Sequence, residues 1–480
     1  MTNRLFTSKE IAKGFLESRF DTENTFDVCV KEITIKNMPT LTVYVSGLVN
    51  GESLAEVLAN LQWEQHEEID DESDYFEEHF NYHGREQATS IDAFLLGVLS
   101  GLVGFVTPSG FAFLAEFRSY PGRNPEEPDN EKVIRGSRDG FAENVIQNVA
   151  LIRRRIRSTE LRFQMHHVST YGQTDVVISY LNDLVNEKHL EWIIERLQQI
   201  QHDGLTMSDK SLEEWLFKQR YHPLPFVRYT ERPDIVAAHL LEGHIAIVVD
   251  TSPSVMLMPV TMFHLLQHAE EYRQAPLIGS IMRLLRFIAV LLSFLILPFW
   301  YLLVTNEHLI PEQLAYIGIN EKSELPLFLQ LLIADLGIEF LRIAAIHTPT
   351  PLSTAMGLIA GIIIGQIAID VGLFSSEVVL YTAISAIFTF AIPNYELSIS
   401  IKVFRLLLLA ATALFGVNGF FIGIFAIFTY LCTLKPMNVP YLWPLVPFFP
   451  IAFLRVVIRF PMSHDALRPY IVGAKQRKRA

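Results

Sequence analysis

The sequence predicts a soluble α/β N-terminal region of two subdomains, followed by an all-α polytopic membrane domain of five or six helices. Three observations carry this expectation. From about Ile281 to Phe460 the chain is apolar, broken only by Pro, Gly and a few charges, and runs such as 284–304 match a bilayer's thickness at helical rise. Before about Gly279, short β-branched runs alternate with helical periodicity, the pattern of an α/β fold. A Pro-rich, charged connector at 120–132 (Pro121, Pro125, Pro128) divides that soluble half. The expected domains are therefore 1–130 and 131–275, both soluble, a helical domain 276–462, and a basic cytosolic tail 463–480.

Charge and cysteine content narrow the function classes. The 480 residues carry a net charge of −13, which argues against nucleic acid as a partner. Nine carboxylates fall between Glu64 and Glu78 without an intervening Lys or Arg. A solvated acidic loop explains them first, and a cation-binding surface is the sharper alternative. Two cysteines, Cys29 and Cys432, lie far apart, so no disulfide framework is expected and the soluble half belongs in a reducing compartment. Residues 1–20 lack a signal-peptide core. The first membrane helix then acts as the insertion signal and leaves the soluble half in the cytosol.

In the soluble half, residues 1–24 read as polar and loosely ordered. Strands are expected over 26–35 and 41–49, and a helix over 52–63. The apolar stretches 91–106 and 111–117 flank Thr107-Pro108-Ser109-Gly110, which breaks any membrane span and leaves a buried element, a turn and a strand. A helix over 141–157 ends in Arg153, Arg154, Arg155 and Arg157, cations that suit a helix C-terminus or dock onto acidic partners or lipid headgroups. Further expectations are a strand at 174–180, helices at 186–201 and 208–219 with Ser208 as cap, and strands at 244–250 and 255–260.

The membrane half opens with an amphipathic helix over 262–273. His264 and His268 lie four apart on it, a spacing that can bind metal, but no third ligand beyond an arguable Glu271 is convincingly placed, so surface or packing histidines are the default reading. The first span is 284–304, with Arg283 and Arg286 at its start; the loop 305–324 is acidic. Span 325–346 carries Asp335, Glu339 and Arg342 on one face, either an internal salt bridge or a polar path. Span 353–374 combines a stripe of Gly357, Gly361 and Gly365 for close helix packing with Gln366 and Asp370 on nearly the opposite face, candidates for a polar path. After span 377–392, Lys402 and Arg405 mark a turn. Stretch 403–434 is either one tilted helix or two arms broken near Gly416, and 440–460 is a Pro-rich last span. Basic residues on one side and the acidic loop on the other put both termini in the cytosol with an even number of crossings, six if every segment crosses.

No nucleotide-binding, dinucleotide, metalloprotease or nucleophile-elbow motif is present, so an enzyme, a cofactor and active pumping are not expected. Asp250-Thr251-Ser252-Pro253 reads as a strand-to-turn signal. Arg228, Glu231, Arg232 and Asp234 read as an ion-paired joint between the soluble domain and the membrane entry, with a coupling role as the sharper alternative.

Four blocks then carry a resemblance over nearly the whole chain: Arg135–Phe141 with Ala150–Arg157; Arg228–Asp234; Leu240–Pro253; and Gly361–Gln366 with Ile392–Tyr395. In order and spacing they resemble the family of GerA-type spore germinant receptor A subunits and stage V sporulation protein AF. Gln267–Gln274 together with Asp250–Pro253 looks closer to the protein AF branch. The resemblance implies a multipass protein of the endospore inner membrane with its α/β domain on the core side. It implies a homo-oligomer that releases monovalent cations during germination beside other germination membrane proteins. The alternatives it leaves are a non-conducting scaffold for receptor clusters and a receptor A subunit working with B and C partners.

Overall fold

A computed structural model describes residues 4–35, 38–63, 85–119, 131, 135–219, 221–306, 308, 310, 313, 317–319, 323–347, 357, 359, 361–461 and 467–479. The acidic stretch 64–78, all of the connector except Glu131, and half of the loop 305–324 lie outside these residues. The chain forms two compact units. One comprises Met1–Arg220, Phe226–Val260 and Met462–Ala480, and the other comprises Tyr221–Pro225 and Thr261–Pro461.

The first unit holds two antiparallel sheets of five strands each. In the first, β1 (Val28–Ile35), β2 (Met38–Val45), β4 (Val103–Val106), β5 (Ala112–Ala115) and β3 (Arg85–Gln87) lie in that spatial order. Their register is fixed by pairs such as Val30 opposite Val43 and Phe105 opposite Phe113. The sheet is packed on both faces. Helix α1 (Lys9–Phe20) and helix α3 (Ile91–Leu99) cover one face around Leu16, Phe94 and Val98, and α2 (Gly51–Trp63) covers the other around Leu54, Leu61 and Phe105. Residues 9–20 are therefore not loosely ordered: Ser8 caps the helix, and Ala12, Leu16 and Phe20 line one buried face at fourfold spacing.

The second sheet runs β6 (Leu161–Val168), β7 (Thr174–Leu181), β9 (Ile245–Val249), β10 (Val255–Met258), β8 (Arg228–Thr230). Every residue of β9 is buried, as its continuous β-branched run predicts. Helix α4 (Val145–Arg155) follows Asn144, whose side chain accepts from Ile146 and Gln147 amides. Helices α5 (Glu187–Gln198), α6 (Ser208–Phe217) and α7 (Pro233–Glu242) complete the layer. Ser208 is the first residue of α6 rather than its cap, and Met207 occupies the cap position without a side-chain bond. The turn at Asp250 is confirmed: Thr251 has φ +66°, and the Asp250 carboxylate accepts from the Val145 amide at the α4 N-terminus.

The second unit is helical. The expected helix over 262–273 is two short ones, α8 (Met262–Leu265) and α9 (Ala269–Arg273). His264 closes a capping box with Thr261, and the His268 side chain accepts from the Glu270 amide, so both histidines terminate helices. Then come α10 (Pro276–Thr305), α11 (Leu327–His347), α12 (Ser376–Phe390), α13 (Tyr395–Thr433) and α14 (Pro450–Val457). Helix α13 breaks at Gly416, whose φ of 58° and ψ of −136° leave the helical region. The arms 395–415 and 417–433 fold back on each other. Phe404 and Tyr430 rings lie 6.0 Å apart, and a Cβ on Gly423 would meet Leu408 at 2.7 Å. At 1.5 Å per residue the arms are about 31 and 25 Å long, each on the scale of a bilayer core. The stretch 440–460 is not one span: turns occupy 441–448, and the eight residues of α14 reach about 12 Å.

Candidate functional site: a buried charge network and an exposed polar segment

The helical unit reverses the usual placement of polarity. Large apolar side chains such as Leu291, Phe340, Leu414, Phe421 and Phe425 are exposed, whereas Asp335 and Arg405 are each only 1% exposed. Helices α10 and α13 are long and apolar enough to cross a membrane.

The buried charges come from α11 and the first arm of α13. Asp335, Glu339 and Arg342 share a face of α11 at spacings of four and three, and Lys402 and Arg405 share one on α13. Arg405 donates from Nη2 to Asp335 Oδ1 at 2.6 Å. From Nη1 it donates to the Ser293 carbonyl at 2.8 Å and to Ser385 Oγ at 2.6 Å. One guidanidinium on α13 thus holds α10, α11 and α12, using the fork of donors that Lys lacks. Lys402 Nζ reaches the Asp335 carbonyl at 2.8 Å and Glu339 Oε2 at 2.9 Å. Arg342 donates to Glu339 Oε1 and, at 3.1 Å, to Ser398 Oγ, and its guanidinium lies 4.8 Å from the Tyr395 ring centroid. Lys402 and Arg405 are therefore partners of the α11 acids within helix α13, not markers of a turn. Charges in such a setting persist when paired and hydrogen-bonded.

The other sequence-selected residues lie elsewhere. Gln366 and Asp370 are exposed, and Ile363–Ile367 form a π-helical turn that includes Gln366. Among the described residues, a Cβ added at Gly357, Gly361 or Gly365 meets nothing within 4 Å, so the stripe is open to them. Of 353–360, Gly357 and Ile359 are the described residues.

The segment 228–234 belongs to the first unit and closes its second sheet. Arg232, fully buried, grips Asp234 with Nε at 3.1 Å and Nη2 at 3.0 Å and donates to the Ser137 carbonyl at 2.9 Å. Arg228 pairs with Glu131 at 3.6 Å, and the Glu231 carbonyl accepts from the Phe141 amide. These contacts pin Glu131, Ser137 and Phe141 to the edge strand β8 and the residues that follow it. The ion pairing expected of this segment is present, and the pairs described lie within the first unit.

Sequence reasoning missed a second buried cluster, in the helical unit. Glu271 is completely buried, accepts from Arg283 Nε at 2.6 Å and is ion-paired with Arg286. Arg283 also donates to the Arg455 carbonyl at 3.2 Å, and Arg459 to the Tyr272 carbonyl at 2.6 Å. A Cβ on Gly279 would lie 2.5 Å from the Glu271 carbonyl oxygen, so only glycine lets α9 approach α10 this closely. The available signal was the acid pair Glu270–Glu271 beside basic residues flanking an apolar run. No group of three or more His, Cys, Asp or Glu able to hold a metal occurs among the described residues.

Comparison with known proteins settles the family. The family model described as "Bacillus/Clostridium GerA spore germination protein" matches residues 15–471. The chain belongs to the GerA family. It is 45% identical to Stage V sporulation protein AF of Bacillus subtilis (strain 168), over 99% of this chain and 97% of that protein. It is 28% identical to Spore germination protein KA of the same organism, over 98% of this chain and 88% of that one. With Spore germination protein GerLA of Bacillus cereus it shares 30% identity over 76% of this chain and 74% of the other. The solved N-terminal domain of the A subunit of the Bacillus megaterium spore germinant receptor GerK3 aligns with 54% of this GerA-family chain and 97% of its own, at 22% identity and a TM-score of 0.42. The resemblance read from the four sequence blocks is thereby established, and this GerA-family chain is a spore germination protein.

Proposed function

We propose that the chain is a subunit of an oligomeric channel that passes monovalent cations across the endospore inner membrane during germination. The carrying observation is the exposure of Gln366 and Asp370 on an otherwise apolar helical segment of the second unit. A carboxylate facing hydrocarbon is costly, so these side chains call for water or a partner chain. The open stripe of Gly357, Gly361 and Gly365 suits close approach by a helix of another copy. The network of Asp335, Glu339, Arg342, Lys402 and Arg405 serves as the rigid frame behind that segment. Relatives named as sporulation and germination proteins support the physiological setting. The C-terminal residues pack in the same unit as the N-terminal sheets, which supports placing both on the core side. Six crossings then follow from α10, α11, the segment around 361, α12 and the two arms of α13. A non-conducting scaffold, and a receptor A subunit with B and C partners, are the rival readings.

Potassium flux through membranes containing the purified protein tests the proposal. We expect flux that falls severalfold in Asp370→Asn and assembly that fails in Gly361→Leu. Unaltered flux in the first variant removes Asp370 from the path, and normal assembly in the second removes the stripe from the interface. Absent flux from folded, inserted protein, with or without co-expressed germination proteins, favours the scaffold.

A further inference from the structure

The basic C-terminal segment does not hang free. The chain leaves the first unit at Val260 and rejoins it at Met462. Residues 467–479 then fold on themselves, with Leu467 bridged to Lys478 and the Arg468 amide bonded to the Arg477 carbonyl at 2.8 Å. A short turn at Tyr470–Val472 ends at Gly473, whose φ of 63° is left-handed. This loop seats on the C-terminus of α7 and on the turn between β7 and α5.

Two kinds of contact hold it. The apolar part is small: Ile471, Val472 and Ala474 are buried, and a Cβ on Gly243, the α7 cap, would come within 2.9 Å of Ala474. The polar part is larger. Arg468 Nε donates to the Leu241 carbonyl at 2.9 Å, where cations suit the end of a helix. The Lys475 amide donates to the Leu184 carbonyl at 3.0 Å, and its ammonium pairs with Glu187, in the first turn of α5, at 2.8 Å. Arg479 pairs with Glu242 at 2.7 Å. Both ion pairs are partly open to water, so mobile salt screens them.

We propose that residues 467–479 are an electrostatic latch on the α/β unit, docked at low ionic strength and released as ionic strength rises. Three buried apolar side chains are too few to hold the segment alone, and the pairs Lys475–Glu187 and Arg479–Glu242 decide the balance. Such a latch makes the end of α7 and the start of α5 responsive to the salt concentration around them, which is the quantity cation release changes. That last link rests on the conducting reading above; the latch does not, and is read by proteolysis rather than flux.

The test uses the full chain in nanodiscs. Trypsin cleavage after Lys475 and Arg477 is followed by mass spectrometry at 50 and 500 mM KCl, with rates corrected by a free peptide of the same sequence. We expect cleavage on the order of five- to tenfold faster at high salt, the range two exposed pairs can supply. The double variant Glu187→Gln, Glu242→Gln should be cut fast at both concentrations. Salt-independent cleavage of the unmodified chain overturns the latch, as does a double variant that keeps the full salt dependence. The surface variant Lys13→Gln, away from the tail, should leave the profile unchanged; a changed profile there would assign the salt effect to the unit as a whole and also overturn it.

Discussion

Arg405 shows what a single side chain does in the helical unit. It meets Asp335 at 2.6 Å and three further oxygens on α10 and α12, at a depth where solvent reaches 1% of its surface. Removing one partner of such a pair leaves the other charge buried and alone, at a cost of about 3–5 kcal/mol. Asp335→Asn should therefore lower the unfolding temperature of the solubilised protein markedly. The double variant Asp335→Asn, Arg405→Gln should recover part of that loss, and thermal melts of the three proteins measure it. Only half of this site was legible in the sequence. Spacings of four and three reveal that Asp335, Glu339 and Arg342 share a face, because helical periodicity is a local property. Which helix meets that face is a tertiary fact, so Lys402 and Arg405 read as turn residues. The same limit hid Glu271, whose partners Arg283 and Arg286 looked like ordinary cations at the start of a span.

At the scale of elements, legibility followed the width of the apolar signal. Strand β9 is apolar throughout and was evident; α1 buries a narrow stripe of Ala12, Leu16 and Phe20 among charged neighbours and read as a loose terminus. The helix expected over 262–273 splits because His264 and His268 cap backbone amides, a use of histidine that composition does not reveal. The folding back of α13 rests on Gly416, which adopts a φ,ψ pair open essentially to glycine alone. Gly416→Ala should cost about 1–3 kcal/mol of stability through backbone strain. Among the described residues nothing lies within 4 Å of an added Cβ there, so steric crowding from them will not confuse the result. A melting temperature indistinguishable from the unmodified protein would show that the chain can turn without glycine.

The whole α/β unit joins two sheets through groups that titrate or pair. Arg153, read as one of several cations at a helix end, is 1% exposed and grips Asp27 of the first sheet with two bonds of 2.9 and 3.0 Å. The Phe26 amide bonds the Phe163 carbonyl across the same boundary. In the second layer, burial holds the His166 imidazole below its ordinary value of 6.5, assisted by neighbouring His167, and burial does the same to His189. Their neutral forms are favoured in the fold, so the unfolded chain takes up protons first. Stability is full above about pH 6.5 and declines as pH falls toward the folded-state values, then levels. Melts between pH 8 and 5 should show this decline, and His166→Phe should flatten it; a slope unchanged by that variant would assign the effect to other groups. The charge network carries a consequence for biogenesis. Asp335 and its partner Arg405 are 70 residues apart in the chain. At about 5–20 residues per second, a ribosome leaves the acid uncompensated for several seconds before its cation emerges. A chain truncated before Lys402 leaves Asp335 without its α13 cations, and we expect it to be cleared faster than the full chain in a pulse-chase measurement.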